Sequence, residues 1–262
     1  MNRALTAFVA GLGLVGLTAV AGLVWPVLSS YLHWPHGDKQ ITEPRFDRTA
    51  LHADLALAGF AMGDEAHVRI FKREHRLELW MKPAEGRFEL FRAYEICKYS
   101  GGLGPKLAEG DRQAPEGFYR VARAQLNPNS RHHLAFNIGF PNAFDRELGR
   151  TGSFLMVHGG CTSIGCYAMT DEQIDEIYAI VEAALDHGQR EVDVAIFPFR
   201  MTETALQAEQ GSEWSAFWRN LKQGFDLFEQ QGSPPKVSAC DGAYVFGSDA
   251  LGPNCKPITG WV

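Results

Sequence analysis

The sequence predicts an α+β fold that is mainly β, with helices at its periphery. Runs of alternating apolar and polar residues fill the middle of the chain, turns rich in glycine and proline separate them, and helical periodicity is concentrated later. The 262 residues are 45% hydrophobic and 21% charged, which excludes disordered, collagen-like and coiled-coil classes. The net charge of -6, without a dense basic run, argues against a nucleic-acid partner.

The N-terminal segment predicts export. Residues 4–28 carry no charge and follow Arg3, and a run of about 25 apolar residues is long enough to span a bilayer. Residues 1–28 are therefore either a signal peptide, with an A-x-A site at 19–21, or an inner-membrane anchor. In both cases Arg3 favours the inner side, so the rest of the chain is expected to be periplasmic, secreted or membrane-anchored.

Residues 29–64 are predicted to be a linker and an N-terminal decoration, because they contain Pro35 and Pro44 and a short helical pattern at 49–60. Strands come next, the first three half-buried and the fifth fully buried. They are expected at 67–71, 77–81, 88–91, 118–121, 153–157 and 192–196. A loop rich in glycine and proline, residues 100–117, interrupts the series.

Two amphipathic helices are predicted in the second half. Thr170 and Gln173 form a capping box, and Gly188 ends the helix that begins there. A second helix carries a stripe of large apolar residues, which we interpret as core packing and not as a cofactor site. Its members are Trp214, Phe217, Trp218, Leu221, Phe225 and Phe228.

A loop between strand 153–157 and the helix at Thr170 holds a histidine and two cysteines among three glycines. An imidazole beside a thiol can accept its proton, and the resulting thiolate–imidazolium pair is the working form of cysteine acyl-transfer enzymes. His158 and Cys166 are the expected base and nucleophile. The N–H groups of Gly165 and Cys166 are the expected oxyanion donors, since glycine leaves the backbone accessible.

Two motifs resemble the L,D-transpeptidase catalytic domain of the YkuD-type family, and they follow one another along the chain in the order of that family. The first is G-P-K-L-A-E-G-D-R-Q-A-P-E-G-F-Y from Gly104, and the second is H-G-G-C-T-S-I-G-C-Y-A-M from His158. The resemblance covers roughly half of the chain and implies a mixed β-sandwich with peripheral helices. We place the catalytic domain at 65–200 and a helical, disulfide-stapled extension at 201–262.

The resemblance implies a role for each catalytic residue. Cys166 would attack the carbonyl at the L-centre of diaminopimelate in a peptidoglycan stem peptide, forming a thioester. His158 would move the proton, held by the backbone carbonyl of Gly159 in place of a carboxylate. An amine or water would then resolve the acyl-enzyme.

Departures from the usual family pattern leave alternatives open. The common Ser-His-Gly-Cys has Ile164 at its second position, and the usual arginine after the cysteine is Ala168. The short gap after His158 is similar to the YafK-type branch, part of which hydrolyses the link between peptidoglycan and an outer-membrane lipoprotein. We expect hydrolysis of that link, with L,D cross-linking or an inactive peptidoglycan-binding module as alternatives.

Substrate contacts are expected from Ser163, and from Lys106 and Asp111, although that lysine–aspartate pair could equally hold its own turn. The polar stretch 129–142 is expected to line the donor groove. Its neighbours His132 and His133 cannot both face inward from one strand.

No cofactor is expected. A metal site on His158, Cys161 and Cys166 would lack a fourth ligand at zinc spacing.

The other cysteines suggest one disulfide. Cys240 and Cys255 lie in a segment with few helix signals and are expected to pair in an oxidising compartment. Cys161 is expected to be a buried thiol, with a reversible bond to Cys166 as the alternative, and the state of Cys97 is left open.

Overall fold

The computed structural model describes residues 46–247 and 252–261, and within these residues it contains five α-helices and twelve β-strands. A single 3-10 turn, Arg123–Gln125, precedes β5. In chain order the elements are α1 Arg48–Leu57, β1 Glu65–Phe71, β2 Arg76–Lys82, β3 Glu89–Glu95, β4 Gly117–Val121, β5 Leu126–Ser130, β6 His133–Asn137, α2 Ala143–Glu147, β7 Met156–His158, β8 Tyr167–Ala168, α3 Asp171–Asp186, β9 Val192–Phe197, α4 Glu203–Ala208, α5 Ser215–Gln231, β10 Val237–Cys240, β11 Ala243–Phe246 and β12 Cys255–Pro257.

The strands form three sheets in the described part of the chain. A five-stranded sheet has the order β3-β2-β1-β9-β4, with β1 and β9 parallel and every other pair antiparallel. A four-stranded sheet, β5-β6-β7-β8, contains the parallel pair β7–β8, and a three-stranded sheet has the order β11-β10-β12. The α+β, mainly β prediction is confirmed.

The strand β1 is buried on both faces, so the prediction of a half-buried strand is wrong there. Val68 and Ile70 face the core shared with α3 and the four-stranded sheet. The alternate residues face α5, where the Arg69 guanidinium lies 4.6 Å from the ring centre of Phe228 and 2.7 Å from Glu229. A polar side chain at every second position predicts a solvent face, but here the aromatic stripe of α5 covers that face.

The predicted helices are confirmed. Gln173 N–H donates to Thr170 Oγ1 at 3.2 Å and closes the capping box at the start of α3. On α5 the stripe is core, as interpreted, with its most buried members being Trp218, Leu221, Phe225 and Phe228. The N-terminal helix α1 also contributes to the main core, through Leu51 and Leu55. The segment predicted as a decoration therefore includes a core-forming helix.

The predicted strand at 153–157 is displaced toward the C-terminus. The observed strand is Met156–His158, because Gly152 and Phe154 have φ angles of 153° and 55° and break the extended backbone. Phe154 is consequently 68% exposed. The φ of Gly152 favours glycine, and a Cβ there would also lie 2.8 Å from the ring atom Cε1 of Phe140.

The predicted signal peptide or anchor, residues 1–28, lies outside the described residues, as does part of the predicted linker. Across 46–247 and 252–261, no helix has the length and apolar character needed to cross a membrane.

A buried ion pair connects the central sheet, the 100–117 loop and α5. Lys72 Nζ lies 3.0 Å from Glu116 Oε1 with both side chains fully buried, and it also donates to the carbonyls of Gly104 and Ala114. Glu116 accepts the N–H of Gly104 at 2.7 Å and the indole N–H of Trp218 at 2.8 Å. Every charge in this cluster thus has several hydrogen-bond partners, as a buried pair requires.

We expect Lys72→Met to lower the free energy of unfolding by about 3–5 kcal/mol, because it leaves a buried carboxylate and two carbonyls without their partner. Urea denaturation measures this. Lys82→Met is the matched control, since Lys82 pairs with Glu65 at the surface and should contribute under about 1 kcal/mol. Equal losses for the two variants would contradict this account of the buried pair.

Candidate active site

The short parallel pair β7–β8 positions both predicted catalytic side chains. Its register places Val157 opposite Tyr167 and His158 opposite Ala168. Cys166 directly precedes β8, and continued alternation of side chains would put it on the face of Ala168, the register partner of His158. The loop between the two strands thus joins the predicted base, at the end of β7, to the predicted nucleophile, just before β8.

The imidazole of His158 is held by its own neighbour. Its Nδ1 lies 2.6 Å from the carbonyl oxygen of Gly159, and because a carbonyl only accepts, Nδ1 carries the proton and Nε2 is left as the basic atom. Burial lowers the pKa of His158, with His132 adding to the effect and the Gly159 bond opposing it. The contact is the one that the predicted role of Gly159 requires; the role itself stays a prediction.

The thiol of Cys166 is half-buried and reachable from solvent. It donates to the carbonyl of Phe154 at 3.5 Å. Burial raises the pKa of Cys166, while a hydrogen bond from Met156 and the charge of Lys106 oppose the shift. The thiol and the imidazole of His158 are both favoured in their neutral forms, which differs from the thiolate–imidazolium pair expected from sequence.

In the loop before the cysteine, the predicted site residues Gly165 and Ser163 are hydrogen-bonded to each other, and their predicted roles stay predictions. Gly165 has a φ of 132°, but its N–H donates to Ser163 Oγ at 3.1 Å and is engaged in this conformation. The same hydroxyl donates to the carbonyl of Cys166 at 2.7 Å, and Ser100 binds the carbonyl of Ser163. Ser163 therefore shapes the loop, and the role of the Cys166 N–H as an oxyanion donor stays a prediction. Motif spacing shows the residue types but not how the hydroxyl closes this turn.

Lys106 and Asp111 hold their own turn in this structure. Lys106 is only 4% exposed, and its Nζ lies 2.5 Å from Asp111 Oδ1 and 2.8 Å from the carbonyl of Ala108. Desolvation raises the pKa of Asp111, but hydrogen bonds from Ala108, Lys106, Gln113 and Leu107 outweigh it and bring the pKa to about 2. These contacts favour the structural alternative.

Two disulfides are present. The predicted Cys240–Cys255 bond is confirmed. The expectation that Cys161 is a buried thiol is wrong, since it is bonded to Cys97, 64 residues away, and Cys166 is the free cysteine. The segment after β3 runs beside β8, a tertiary contact that spacing cannot show. Cys161 is thereby unable to serve as a thiolate metal ligand.

The adjacent histidines of the polar stretch have different partners. His132 lies in the turn between β5 and β6, and its ring centre is 4.6 Å from that of His158. His133 Nε2 lies 2.7 Å from Asp175 on α3. Sequence reasoning did not single out Asp171, whose carboxylate contacts the catalytic loop. Its position in the first helical turn directly after the motif was the available signal.

Comparison with known proteins agrees with this geometry. Residues 65–196 match the family described as the L,D-transpeptidase catalytic domain, YkuD. The chain belongs to this family. It is also 52% identical over 184 residues to the Escherichia coli (strain K12) protein named "Putative L,D-transpeptidase YafK", a match that covers 70% of this chain and 74% of that protein. The predicted resemblance is confirmed.

Solved structures show weaker similarity to this L,D-transpeptidase-family chain. The helical cell shape determining protein Pgp2 from Campylobacter jejuni is 19% identical, with a TM-score of 0.42, and the match covers 70% of this chain and 66% of Pgp2, just under two thirds. Bd1075 of Bdellovibrio bacteriovorus is 16% identical, with a TM-score of 0.38, over 74% of this chain and 91% of that chain. The family assignment rests on the sequence matches.

We expect Cys166 in the substrate-free protein to react slowly with iodoacetamide at pH 7, because burial raises its pKa. The rate should rise about tenfold per pH unit until the thiol titrates, with a midpoint above that of an unstructured cysteine peptide measured in parallel. Cys166→Ala should show no labelling, since the other four cysteines are disulfide-bonded. Full reactivity already at pH 6 would instead indicate a preformed thiolate.

Non-reducing peptide mapping of the oxidised protein should recover Cys97 linked to Cys161 and Cys240 linked to Cys255, with Cys166 alkylated. The double variant Cys97→Ser/Cys161→Ser should have a free energy of unfolding about 2–4 kcal/mol lower than the wild type, because the bond closes a long loop. Recovery of Cys161 in a bond to Cys166 would disprove this pairing.

Proposed function

We propose that this protein is a cysteine-dependent acyl-transfer enzyme that acts on peptidoglycan stem peptides. One observation carries the proposal: Cys166 is a free, half-buried cysteine directly before β8, the strand that pairs with the one ending in His158, and His158 Nδ1 lies 2.6 Å from the carbonyl oxygen of Gly159. Membership of the L,D-transpeptidase family supports the substrate class. The first product is a thioester at the L-centre of diaminopimelate.

We propose that proton transfer accompanies attack, because burial raises the pKa of Cys166 and lowers that of His158. As Cys166 Sγ approaches the donor carbonyl, His158 Nε2 takes the thiol proton and becomes imidazolium. The hydrogen bond to Gly159 holds the ring while this charge develops. The N–H of Cys166 stabilises the oxyanion, and the imidazolium then protonates the leaving amine. Deacylation repeats the sequence with an acceptor amine or water.

We further propose hydrolysis of the bond between peptidoglycan and an attached outer-membrane lipoprotein. The short distance in sequence between His158 and Ser163 and the 52% identity to YafK support this branch. Two exposed apolar side chains near Cys166 in the chain also favour a substrate that includes polypeptide: Phe154, whose carbonyl accepts from the thiol, is 68% exposed, and Ile164, two residues before Cys166, is 80% exposed. Transfer to an amine, giving an L,D cross-link, is the competing outcome.

We propose a periplasmic location, with residues 1–28 as an inner-membrane anchor or cleaved signal. Peptidoglycan lies outside the cytoplasmic membrane, so a protein that acts on it must be exported. The two disulfides support it, because such bonds persist in oxidising compartments.

The proposal is tested by incubating the protein with sacculi that carry covalently bound lipoprotein and with stripped sacculi, followed by mass spectrometry of the fragments. Cys166→Ala and His158→Ala should each lower turnover by at least about 1,000-fold without loss of fold. His187→Ala is the matched histidine control, since His187 lies at the far end of α3 and binds the carbonyl of Ala183. It should retain wild-type turnover.

The products separate the alternatives. Cysteine-dependent release of lipoprotein with tripeptide ends supports hydrolysis, whereas new diaminopimelate–diaminopimelate cross-links support transpeptidation. Binding to sacculi without either product identifies a peptidoglycan-binding module. Full turnover by a folded Cys166→Ala protein would end the proposal of cysteine catalysis.

A further inference from the structure

One peptide group in the catalytic loop is hydrogen-bonded at both ends. The carbonyl of Gly159 accepts from His158 Nδ1 at 2.6 Å, and the N–H of the next residue, Gly160, donates to Asp171 Oδ1 at 2.8 Å. The C=O and the N–H belong to the same planar amide, between Gly159 and Gly160. A carboxylate, an amide and an imidazole are therefore linked in series.

This arrangement has an electrostatic consequence. A carboxylate that accepts from an amide N–H makes a charge-assisted bond and polarises the amide, which makes its carbonyl oxygen a stronger acceptor. In Ser-His-Asp triads the carboxylate contacts the imidazole directly. Here the carboxylate of Asp171 stands one amide away from the imidazole of His158.

We propose that Asp171 is a positioning residue of the active site, which orients His158 and supports its protonated form through the Gly159–Gly160 peptide. Its effect on turnover rests on the proposed function; its effect on the imidazole does not. The inference extends the catalytic constellation from the motif into the first turn of α3.

The close packing at Gly159 supports the contact between Asp171 and the Gly159–Gly160 peptide. A Cβ on Gly159 would lie 2.5 Å from Asp171 Oδ1 and 3.0 Å from the carbonyl oxygen of His132, so only glycine allows this approach. The N–H of Gly159 is itself held by the carbonyls of His132 and Leu134, at 3.1 and 3.2 Å. With both adjoining peptides bonded, the Gly159 carbonyl is fixed toward the imidazole.

Helix capping does not account for Asp171. The N-cap of α3 is Thr170, which is paired with Gln173 in the capping box. Glu172 lies in the same first turn and gives the same favourable interaction with the helix dipole, but the loop bond is made by Asp171. Glu172 is therefore the matched control for removal of one carboxylate at this helix end.

Several other groups act on His158 and must stay constant in a pH experiment. The ring of His132 packs against it at an interplanar angle of 32° from the β5–β6 turn, and Cys166 directly precedes β8, the strand that pairs with β7. The charge of Lys106 acts on Cys166. None of these is altered by substitution at Asp171.

The first experiment is an NMR titration of His158 in the Cys166→Ala protein, which needs no substrate. Asp171→Asn, which keeps an oxygen acceptor but loses the charge, should lower the pKa of His158 by about half a unit, less than the 1–3 units of a direct ion contact. Asp171→Ala, which loses both, should lower it further. Glu172→Gln should shift it by less than about 0.2 unit, since an exposed charge without the bond is screened.

The second experiment measures turnover with Cys166 in place. Asp171→Asn should lower kcat about tenfold at unchanged KM, well below the about 10⁴-fold loss for a carboxylate that binds the imidazole directly. Its pH–rate profile should shift with the NMR pKa, and Glu172→Gln should retain wild-type kcat. If Asp171→Asn matches Glu172→Gln in both the pKa of His158 and kcat, the proposal is overturned. If no variant or wild type turns over substrate, the proposed function fails and the NMR series alone decides the role of Asp171.

Discussion

The buried pair of Lys72 and Glu116 is the interaction on which the site depends. Two opposite charges without solvent are stable only when their remaining hydrogen-bonding capacity is satisfied. Here Lys72, directly after β1, is bound by the 100–117 loop, and Glu116 of that loop is also bound by α5. The loop is thereby held against the catalytic segment: the hydroxyl of Tyr167 on β8 donates to the carbonyl of Pro115 at 2.7 Å. A polar cluster far from solvent thus determines where the strand after the nucleophile lies.

Around this support, the loop between β7 and α3 is held by hydrogen bonds from its side chains to its own backbone and by one disulfide. His158 is bonded to the next carbonyl, Ser163 closes the turn before the nucleophile, and a disulfide joins Cys161 to the segment after β3. Glycines are required where main-chain groups approach closely, as at Gly159. Burial raises the pKa of Cys166 and lowers that of His158, so this part of the fold combines low polarity with a backbone fixed by hydrogen bonds.

Sequence patterns predicted the elements whose signals are local. The capping box of Thr170, the aromatic stripe of α5 and the alternation in β1 and β9 each depend on residues a few positions apart, and all these elements formed. Patterns failed where a distant element changed the environment. Arg69 predicted a solvent-facing position, yet the rings of α5 bury it, and Phe154 belonged to an apolar run but turns outward at a positive φ.

The catalytic pair shows the same division. The sequence by itself determined the family and indicated a candidate nucleophile, a candidate base and the carbonyl beside that base, because the motif places these groups within nine consecutive residues. It also determined the Cys240–Cys255 pair, whose members are close along the chain. Only the tertiary structure decided the partner of Cys161, the engagement of Gly165 by Ser163 and the contact of Asp171 with the loop. Those depend on angles and distances between segments, and hydrogen bonds and disulfides form only where folding brings the atoms into contact.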